Sequence, residues 1–315
     1  MNDTAAPHGL HHVTAIASDP QRNVDFYART LGLRLVKQTV NFDAPDSYHL
    51  YYGDAAGRPA SLLTFFPWRG VPAGREGAGM TRATAFSVPP ESIGWWHARL
   101  AGLGVDVTAP ARRGDEEVLS LRDHDGLAID LVAAEGDTRS GWDGAAGIPA
   151  EHAVRGLHSV TLAERDLDPT ASMLTELLSM DAGASTAGGA VRFGMAGGGA
   201  GAVVDVAPGV ADRGWQAGGT VHHVAFRAPD LTTMTAWQHA LLDRGVPVTD
   251  VRDRQYFKSI YFREPGGVLF EIATDDPGFA TDEPLLELGR ALKLPPWLEP
   301  SREQIAAALP PLRVP

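Results

Sequence analysis

An internal repeat constrains the fold of this chain more than any other feature of its sequence. The segment GLHHVT at residues 9–14 returns as GLHSVT at residues 156–161, and TRATAFSVPP at residues 81–90 resembles VHHVAFRAPD at residues 221–230. Each segment opens a unit in which a strand pattern is followed by a helix pattern and further strands. The repeat therefore predicts an α+β protein made of four similar modules, which cover about residues 9–68, 81–135, 156–208 and 220–275.

The four modules divide the chain into two halves and a tail. Modules 1 and 2 occupy residues 1–140, modules 3 and 4 occupy residues 150–280, and the Gly- and Ala-rich stretch between the halves is predicted to be a linker. The proline-rich tail, residues 281–315, is expected to cover a barrel or to form a subunit contact. Glycine-rich residues 188–201 lack the Gly-Lys-Ser/Thr ending of a phosphate loop, so a loose hairpin is predicted there and its role stays open.

The composition narrows the class of protein. A net charge of −12 without basic blocks argues against nucleic acid or an anionic membrane as the main partner. Cysteine is absent, which excludes disulfides, thiolate zinc sites, iron–sulfur clusters and a cysteine nucleophile. The N-terminal segment shows no signal-peptide pattern, and no apolar run approaches the ~18 residues of a membrane span. We therefore expect a globular, cytoplasmic protein.

Two His-His pairs, at residues 11–12 and 222–223, lie at the start of strand patterns in modules 1 and 4. Adjacent side chains of a strand point to opposite faces, so only one histidine of each pair can face a shared interior. The second position of the pair becomes Ser159 in module 3 and Ala83 in module 2. Because this is the position that changes to an inert side chain, the second histidine of each pair is predicted to point inward.

An acidic residue in an otherwise apolar strand completes the candidate site. Strand alternation in GVLFEIAT, residues 267–274, separates Glu271 from the large apolar side chains beside it. A buried, unpaired glutamate is costly, and either a bound cation or an arginine partner would offset the cost. The corresponding position in module 1 is Thr64. Only modules 1 and 4 together therefore supply two histidines and a glutamate, which are His12, His223 and Glu271.

Two imidazoles and one carboxylate, with the other coordination positions open, are the ligand set of the facial triad of non-heme Fe(II) oxygenases. Three ligands hold the metal from one side, so a substrate and O₂ can bind together on the other side. The ligand types alone do not distinguish Fe(II) from Mn(II).

The chain resembles the vicinal oxygen chelate superfamily of glyoxalases and extradiol dioxygenases, and within it the ring-cleaving dioxygenases of the hydroquinone 1,2-dioxygenase type. The resemblance runs from end to end, and its matching stretches include GLHHVTAIASDPQRNVDFY, GTVHHVAF and DRQYFKSIYFREPGGVLFEIATD. It implies four βαβββ modules that form two open barrels, module 1 with module 4 and module 2 with module 3. It also implies Fe(II) bound by His12, His223 and Glu271, and these pocket residues next to the metal: His11, Thr14, His222, Arg254 and Tyr261.

Each of these five pocket roles has a structural alternative. Thr14 shares a strand face with His12, so it could bond a ligand or substrate oxygen, or only fill the barrel. His11 and His222 point away from their neighbours unless the strand end is irregular. They are expected either to support neighbouring groups or to act at the rim as acid–base groups with a pKa near neutrality.

Two further residues lie on the module that supplies Glu271. Arg254 could stabilise an anionic oxygen or pair with a surface aspartate. The Tyr261 hydroxyl could bond a phenolic oxygen, or the side chain could simply pack on its strand. His49, in the alternating segment SYHLYYG, is predicted to be a core or surface residue rather than a pocket residue.

The leading prediction is an Fe(II)-dependent dioxygenase that inserts O₂ into the ring of a small aromatic diol, such as a hydroquinone or a catechol. One alternative is a glyoxalase-like isomerase or thiol transferase. Such sites use a fourth ligand, often a second carboxylate, and Thr64 at the corresponding position counts against it. The other alternative is a non-catalytic resistance protein that binds an aromatic compound. The ring substituents, the cleavage position and the oligomeric state stay open, and the apolar tail permits a homo-oligomer.

Overall fold

The structure is a computed structural model that describes residues 6–145, 147–186 and 188–315. It contains four modules of the order strand, helix and three strands. Module 1 consists of β1 Leu10–Ala17, α1 Pro20–Val24, β2 Arg34–Asn41, β3 Ala44–Gly53 and β4 Leu62–Pro67. Module 2 consists of β5 Met80–Val88, α2 Ile93–Gly102, β6 Ala111–Arg113, β7 Glu116–Arg122 and β8 Ala128–Ala133.

The second half of the chain repeats this order. Module 3 consists of β9 Gly156–Ala163, α3 Asp168–Ser172, β10 Asp181–Ser185, β11 Val191–Gly194 and β12 Val203–Ala207. Module 4 consists of β13 Thr220–Ala228, α4 Leu231–Asp243, β14 Arg252–Asp253, β15 Lys258–Arg263 and β16 Leu269–Thr274. A last helix, α5 Arg302–Ala308, lies in the tail.

The modules pair as the resemblance implies. One eight-stranded sheet has the order β14-β15-β16-β13-β1-β4-β3-β2, so it joins module 4 to module 1. The other has the order β10-β11-β12-β9-β5-β8-β7-β6 and joins module 3 to module 2. Both junctions are antiparallel, between β1 and β13 and between β5 and β9. The α+β fold of two half-barrels is therefore confirmed, and each barrel draws one module from each half of the chain.

The outer face of each sheet is buried under helices, while the inner face of the first barrel surrounds a cavity. Trp96 of α2 and Trp237 of α4 are almost fully buried in the main apolar core, as expected of packing residues. No helix in the described part of the chain is long and apolar enough to span a membrane.

A β-bulge occurs at the first histidine of each pair. Leu10 pairs with Phe226 and His12 with Ala225, so His11 is the extra residue on β1. On β13, His222 is the extra residue in the same way, between the pairs that involve residues 221 and 223. A bulge breaks the strict alternation of side-chain directions and re-aims the side chain at that position. The sequence left open whether these strand ends are irregular, and the structure has an irregular end in both strands.

The glycine shared by the two GLH segments has a structural reason. Gly9 and Gly156 both have positive φ angles, of 120° and 151°. A Cβ atom on Gly9 would lie 2.8 Å from the carbonyl oxygen of Gly201, and one on Gly156 would lie 2.7 Å from that of Ala60. A side chain at either position would thus collide with the backbone of the loop packed against it.

The tail packs on the first barrel, which was one of its two expected roles. Lys37 of β2 is fully buried, and its ammonium group contacts Asp282 and Glu283, each at 2.6 Å. Farther along, the Tyr48 hydroxyl of β3 donates a hydrogen bond to the carbonyl oxygen of Pro310. These contacts fasten the tail across the outer strands of module 1.

Candidate metal centre

Three adjacent strands of the first barrel bring His12, His223 and Glu271 to one point. The strands lie in the order β16-β13-β1, and Glu271 and His12 are both paired with Ala225 of the strand between them. The Nε2 atoms of the two histidines are 3.2 Å apart. Glu271 Oε2 lies 3.3 Å from Nε2 of His12 and 2.8 Å from Nε2 of His223. All three side chains are almost completely buried.

The geometry and chemistry of this group fit a divalent metal ion. Two ligand atoms at right angles around an ion with bonds of about 2.1 Å would be about 3.0 Å apart, close to the separations found here. Glu271 Oε2 is buried and accepts no hydrogen bond, while Ser259 donates one to the other carboxylate oxygen. An orphaned carboxylate oxygen beside two imidazole nitrogens is costly without a cation, and two imidazoles with one carboxylate suit Fe(II) or Mn(II).

The electrostatics of the site favour an ionised carboxylate at Glu271. Burial alone would raise the pKa of Glu271, but the two neighbouring histidines hold the pKa of this carboxyl well below its ordinary value. Burial lowers the pKa of His223. Metal binding requires an ionised carboxylate and unprotonated imidazole nitrogens, and the lowered pKa values of Glu271 and His223 agree with that requirement.

His11 and His222 orient the two histidines in front of them. Nδ1 of His11 lies 2.8 Å from Nδ1 of His12, and the same distance separates these atoms in His222 and His223. Free lone pairs on the two Nε2 atoms require that His12 and His223 each donate Nδ1–H to the histidine behind it. His11 in turn bonds the backbone of Thr274. Partners of this kind fix the tautomer and orientation of a metal-ligating histidine.

Burial changes the pKa of both supporting histidines. It lowers the pKa of His11 well below its ordinary value and that of His222 to about 3. Both are therefore neutral near pH 7, and neither has the near-neutral pKa expected of an acid–base group at the rim. His11 is almost fully buried behind the site against Phe257, whereas His222 borders the cavity.

Arg254 and Tyr261 lie together on the cavity wall beside Glu271. Arg254 Nε donates a hydrogen bond of 3.1 Å to the Tyr261 hydroxyl, and Nη1 is 3.0 Å from Asp43 Oδ2. Burial alone would lower the pKa of Arg254, but Tyr261 and Asp43 raise it above its ordinary value. Burial raises the pKa of Tyr261. The pair therefore offers the cavity a fixed positive charge and a neutral phenol.

Thr14 does not border the cavity. Hydrogen bonds connect it to residues that were not selected as pocket residues from the sequence. Its hydroxyl lies 2.7 Å from that of Thr64, which lies 2.9 Å from Nε2 of His49. Nδ1 of His49 is 2.8 Å from the Tyr51 hydroxyl, and both His49 and Tyr51 border the cavity. The interpretation of His49 as a core or surface residue is therefore wrong. The signal that could have found the pair is their spacing of two in an alternating strand, which puts both on the face of the site.

The cavity in front of the candidate metal centre has a volume of about 300 Å³. Since about 150 Å³ holds a benzene molecule, this volume suits one substituted aromatic ring. Besides the polar residues already described, the wall contains the rings of Phe42, Phe66 and Phe257. Such a wall can hold a flat apolar ring while the polar groups orient its substituents.

The second barrel has no equivalent metal group among the described residues, since its histidine positions hold Ala83 and Ser159 and its carboxylates are paired with arginines. Asp130, at the position of Glu271, binds Arg113 at 2.6 Å and Ser120 at 2.6 Å. Asp205, at the position of Thr64, is bridged by Arg192. The cavity there, of about 490 Å³, is larger than that of the first barrel but contains paired charges. The arginine-paired alternative that was open for Glu271 thus applies to its counterpart in the second barrel.

The four βαβββ modules form two barrels. The buried His-His-Glu group of the first barrel is the single candidate metal centre among the described residues. The chain belongs to the Glyoxalase/Bleomycin resistance protein/Dioxygenase superfamily, whose family model matches residues 9–131 and 156–272.

Relatives with names that specify a reaction match almost the whole chain. It is 42% identical over 306 residues to "Putative ring-cleaving dioxygenase MhqO" of Bacillus subtilis, covering 97% of both chains. It is 35% identical over 307 residues to "Chlorohydroquinone/hydroquinone 1,2-dioxygenase" of Sphingobium indicum, covering 94% of both. A solved structure described as "putative dioxygenase from Bacillus subtilis" superposes with a TM-score of 0.94 at 41% identity, and the match covers 99% of both chains. Glyoxalase I from Zea mays, at 15% identity and a TM-score of 0.62 over 85% of this chain and 92% of that one, shares the fold alone.

Proposed function

We propose that this chain is a ring-cleaving dioxygenase that inserts O₂ into a hydroxylated aromatic ring, with a hydroquinone-like diol as substrate and Fe(II) as its metal. The observation that carries the proposal is the meeting of two imidazole nitrogens and one orphaned carboxylate oxygen within 3.3 Å of one another at a ring-sized cavity. The names of the relatives that match nearly the whole chain support the same reaction.

His12, His223 and Glu271 would hold the ion, with His11 and His222 fixing the tautomers of the two histidines. When bound, Fe(II) supplies a centre that can take an aromatic hydroxyl and O₂ side by side on its open face. Mn(II) accepts the same ligands, and the metal content of the purified protein distinguishes the two.

The protein's own contribution to the reaction is to bind the ring and to stabilise charge. The phenylalanine rings of the cavity wall exclude water and hold the substrate ring in one plane. Tyr261 accepts a hydrogen bond from Arg254, and its own O–H group can donate to a substrate oxygen. The guanidinium of Arg254 then stabilises the negative charge that develops on oxygen during ring opening.

Thr64 favours a dioxygenase over the glyoxalase-like alternative. This position faces the site from module 1, where a second carboxylate would be needed for a fourth protein ligand. Here a threonine hydroxyl bonds Thr14 and His49 instead. A site with three protein ligands leaves more of the coordination sphere for substrate and O₂.

The experiment is metal analysis of anaerobically purified protein, followed by O₂ uptake with a panel of hydroquinones and catechols after Fe(II) loading. We expect about one metal ion per chain, O₂ consumption with a hydroquinone, and loss of both in Glu271→Gln. Asp130→Asn in the second barrel is the matched control and should keep its metal. Fe-loaded protein that consumes no O₂ with any diol of the panel would overturn the proposal.

A further inference from the structure

A chain of four hydrogen-bonding side chains runs through the first barrel from behind the metal centre to the cavity. It consists of Thr14, Thr64, His49 and Tyr51, with successive polar atoms 2.7, 2.9 and 2.8 Å apart. Both ring nitrogens of His49 are used in it. Its ring also packs on Phe66, with the ring centres 4.4 Å apart, which fixes the plane of the imidazole.

The protonation states of His49 and Tyr51 make the Tyr51 hydroxyl available to a ligand. Burial lowers the pKa of His49 well below its ordinary value and raises the pKa of Tyr51 well above its own. The imidazole is therefore neutral, with one nitrogen donating and the other accepting. When Thr64 donates to Nε2, Nδ1–H donates to the Tyr51 oxygen, and the Tyr51 O–H group is left free to donate into the cavity. In the opposite direction, Tyr51 donates to Nδ1 and its oxygen can accept.

The strand register places Tyr51 three strands away from His223 in the curled sheet. His223, Thr14, Thr64 and Tyr51 form one row across β13, β1, β4 and β3. With neighbouring strands about 4.8 Å apart, Tyr51 lies roughly 14 Å along the curled sheet from His223. Arg254 and Tyr261 approach from the opposite edge of the sheet, on β15 and the segment before it. The Tyr51 hydroxyl is therefore a polar group that faces the cavity from the side of β3.

A diol with its hydroxyls at opposite ends of the ring matches this arrangement. In a 1,2-diol the hydroxyls are neighbours, and both reach the same ion. In a 1,4-diol only one hydroxyl can bind the ion, and the other is carried to the far side of the ring. That second hydroxyl needs a partner, because an unpaired buried hydroxyl is costly. The polar side chains that module 1 contributes to the cavity wall besides the metal ligand His12 are Asn41, Asp43, His49 and Tyr51.

We propose that Tyr51 is a substrate-binding residue that hydrogen-bonds the second hydroxyl of a 1,4-dihydroxybenzene, and that His49 is the positioning residue that holds it in place. The identity of the ligand as an aromatic diol rests on the proposed function. Tyr51 thereby selects 1,4-diols by binding the oxygen that the metal cannot reach.

The test compares hydroquinone with phenol, which lacks the second hydroxyl. Dissociation constants are measured calorimetrically, without O₂, on Fe(II)-loaded wild type and Tyr51→Phe. We expect the preference of the wild type for hydroquinone over phenol to fall about tenfold in Tyr51→Phe, with phenol binding unchanged. Tyr52→Phe is the matched control, because the Tyr52 hydroxyl bonds Asn23 in the core on the other face of the same strand, and it should keep the wild-type ratio. An unchanged ratio in Tyr51→Phe would overturn the inference.

The role of His49 has its own readout. His49→Phe should lower the same ratio as much as Tyr51→Phe does, and the double variant should lose no more than either single one. His49→Gln, whose amide can both donate and accept, should restore most of the preference. If the effects of the two single variants simply add, His49 does not act through Tyr51.

The outcomes separate this inference from the proposed function. Wild type that consumes O₂ with hydroquinone while Tyr51→Phe keeps the full ratio refutes the inference alone. Wild type that binds hydroquinone through Tyr51 but consumes no O₂ refutes the dioxygenase and leaves the binding residue in place.

Discussion

Glu164 and Glu264 bring two buried carboxyl groups together where the turn between β15 and β16 packs against the end of β9. Both residues are 2% exposed or less. Glu264 accepts hydrogen bonds from the backbone of Gly266 and Val268 and from the Thr170 hydroxyl, so its charge is well supported. Glu164 Oε1 has no such partner. Burial and the neighbouring Glu264 raise the pKa of Glu164 from its ordinary 4.5 to about 8.

This raised pKa makes stability fall as the pH rises. The folded protein binds a proton at Glu164 more tightly than the unfolded chain does, so the stability is fully present below about pH 4.5 and declines up to about pH 8. Each pH unit in this window costs about 1.4 kcal/mol, which amounts to about 3 kcal/mol between pH 5 and pH 7.5. Glu164→Gln stays neutral at every pH, and its amide group can donate to Glu264 as the protonated acid does. We expect the variant to match wild type at pH 5 and to be about 3 kcal/mol more stable at pH 7.5.

Urea unfolding between pH 5 and pH 8.5, followed by circular dichroism, measures the difference. The control is Ser18→Ala at the corresponding junction of modules 1 and 2, where Ser18 donates to Asp125. Burial alone would raise the pKa of Asp125, but hydrogen bonds from His124 and Ser18 lower it to about 2. The control should therefore lose about 1 kcal/mol equally across this pH range. If wild type and Glu164→Gln differ by a constant amount at all pH values, the two glutamates do not share a proton.

Three other substitutions test the site and the tail. His11→Phe removes the acceptor behind His12, so metal affinity should fall about 10- to 100-fold in competition with a chelator. Arg254→Gln should lower kcat/KM about 100-fold in O₂ uptake while the metal content stays the same, because the cation acts on developing charge rather than on the ion. Lys37→Met leaves two tail carboxylates without their buried cation, so stability should fall by about 3 kcal/mol and limited proteolysis should cut the tail first. Metal loss in Arg254→Gln, or a Lys37→Met protein as stable as wild type, would contradict the respective reasoning.

The repeat and the strand alternation are local properties, which is why the sequence alone could indicate them. Four copies of one pattern predict four modules, and alternation predicts that Glu271 is separated from the apolar side chains on either side of it. The comparison of module 1 with module 3 separated His12 from His11 because only the inward position changed to serine. Each of these inferences uses the residue pattern within short segments or compares such segments with one another, so no knowledge of the neighbouring strand was needed.

The periodicity of the sequence could not predict contacts between strands. A bulge exists only relative to the partner strand, so the positions of His11 and His222 behind the ligands could not be read from either strand alone. The spacing of His49 and Tyr51 indicates a shared strand face, but the hydrogen bond between His49 and Thr64 on the next strand could not be predicted from that segment. The proximity of Glu164 and Glu264 likewise involves residues from two modules, 100 positions apart, that meet only when the barrels pack.

The chain's sequence by itself determined the number of modules, the inward faces of their strands and the three side chains able to bind a metal, because these follow from short-range periodicity. The tertiary structure decided which side chains support those three, which hydroxyls reach the cavity and which carboxyls are forced together. Those relations arise from register and packing between distant segments, where a shift of one residue would turn each side chain to the other face.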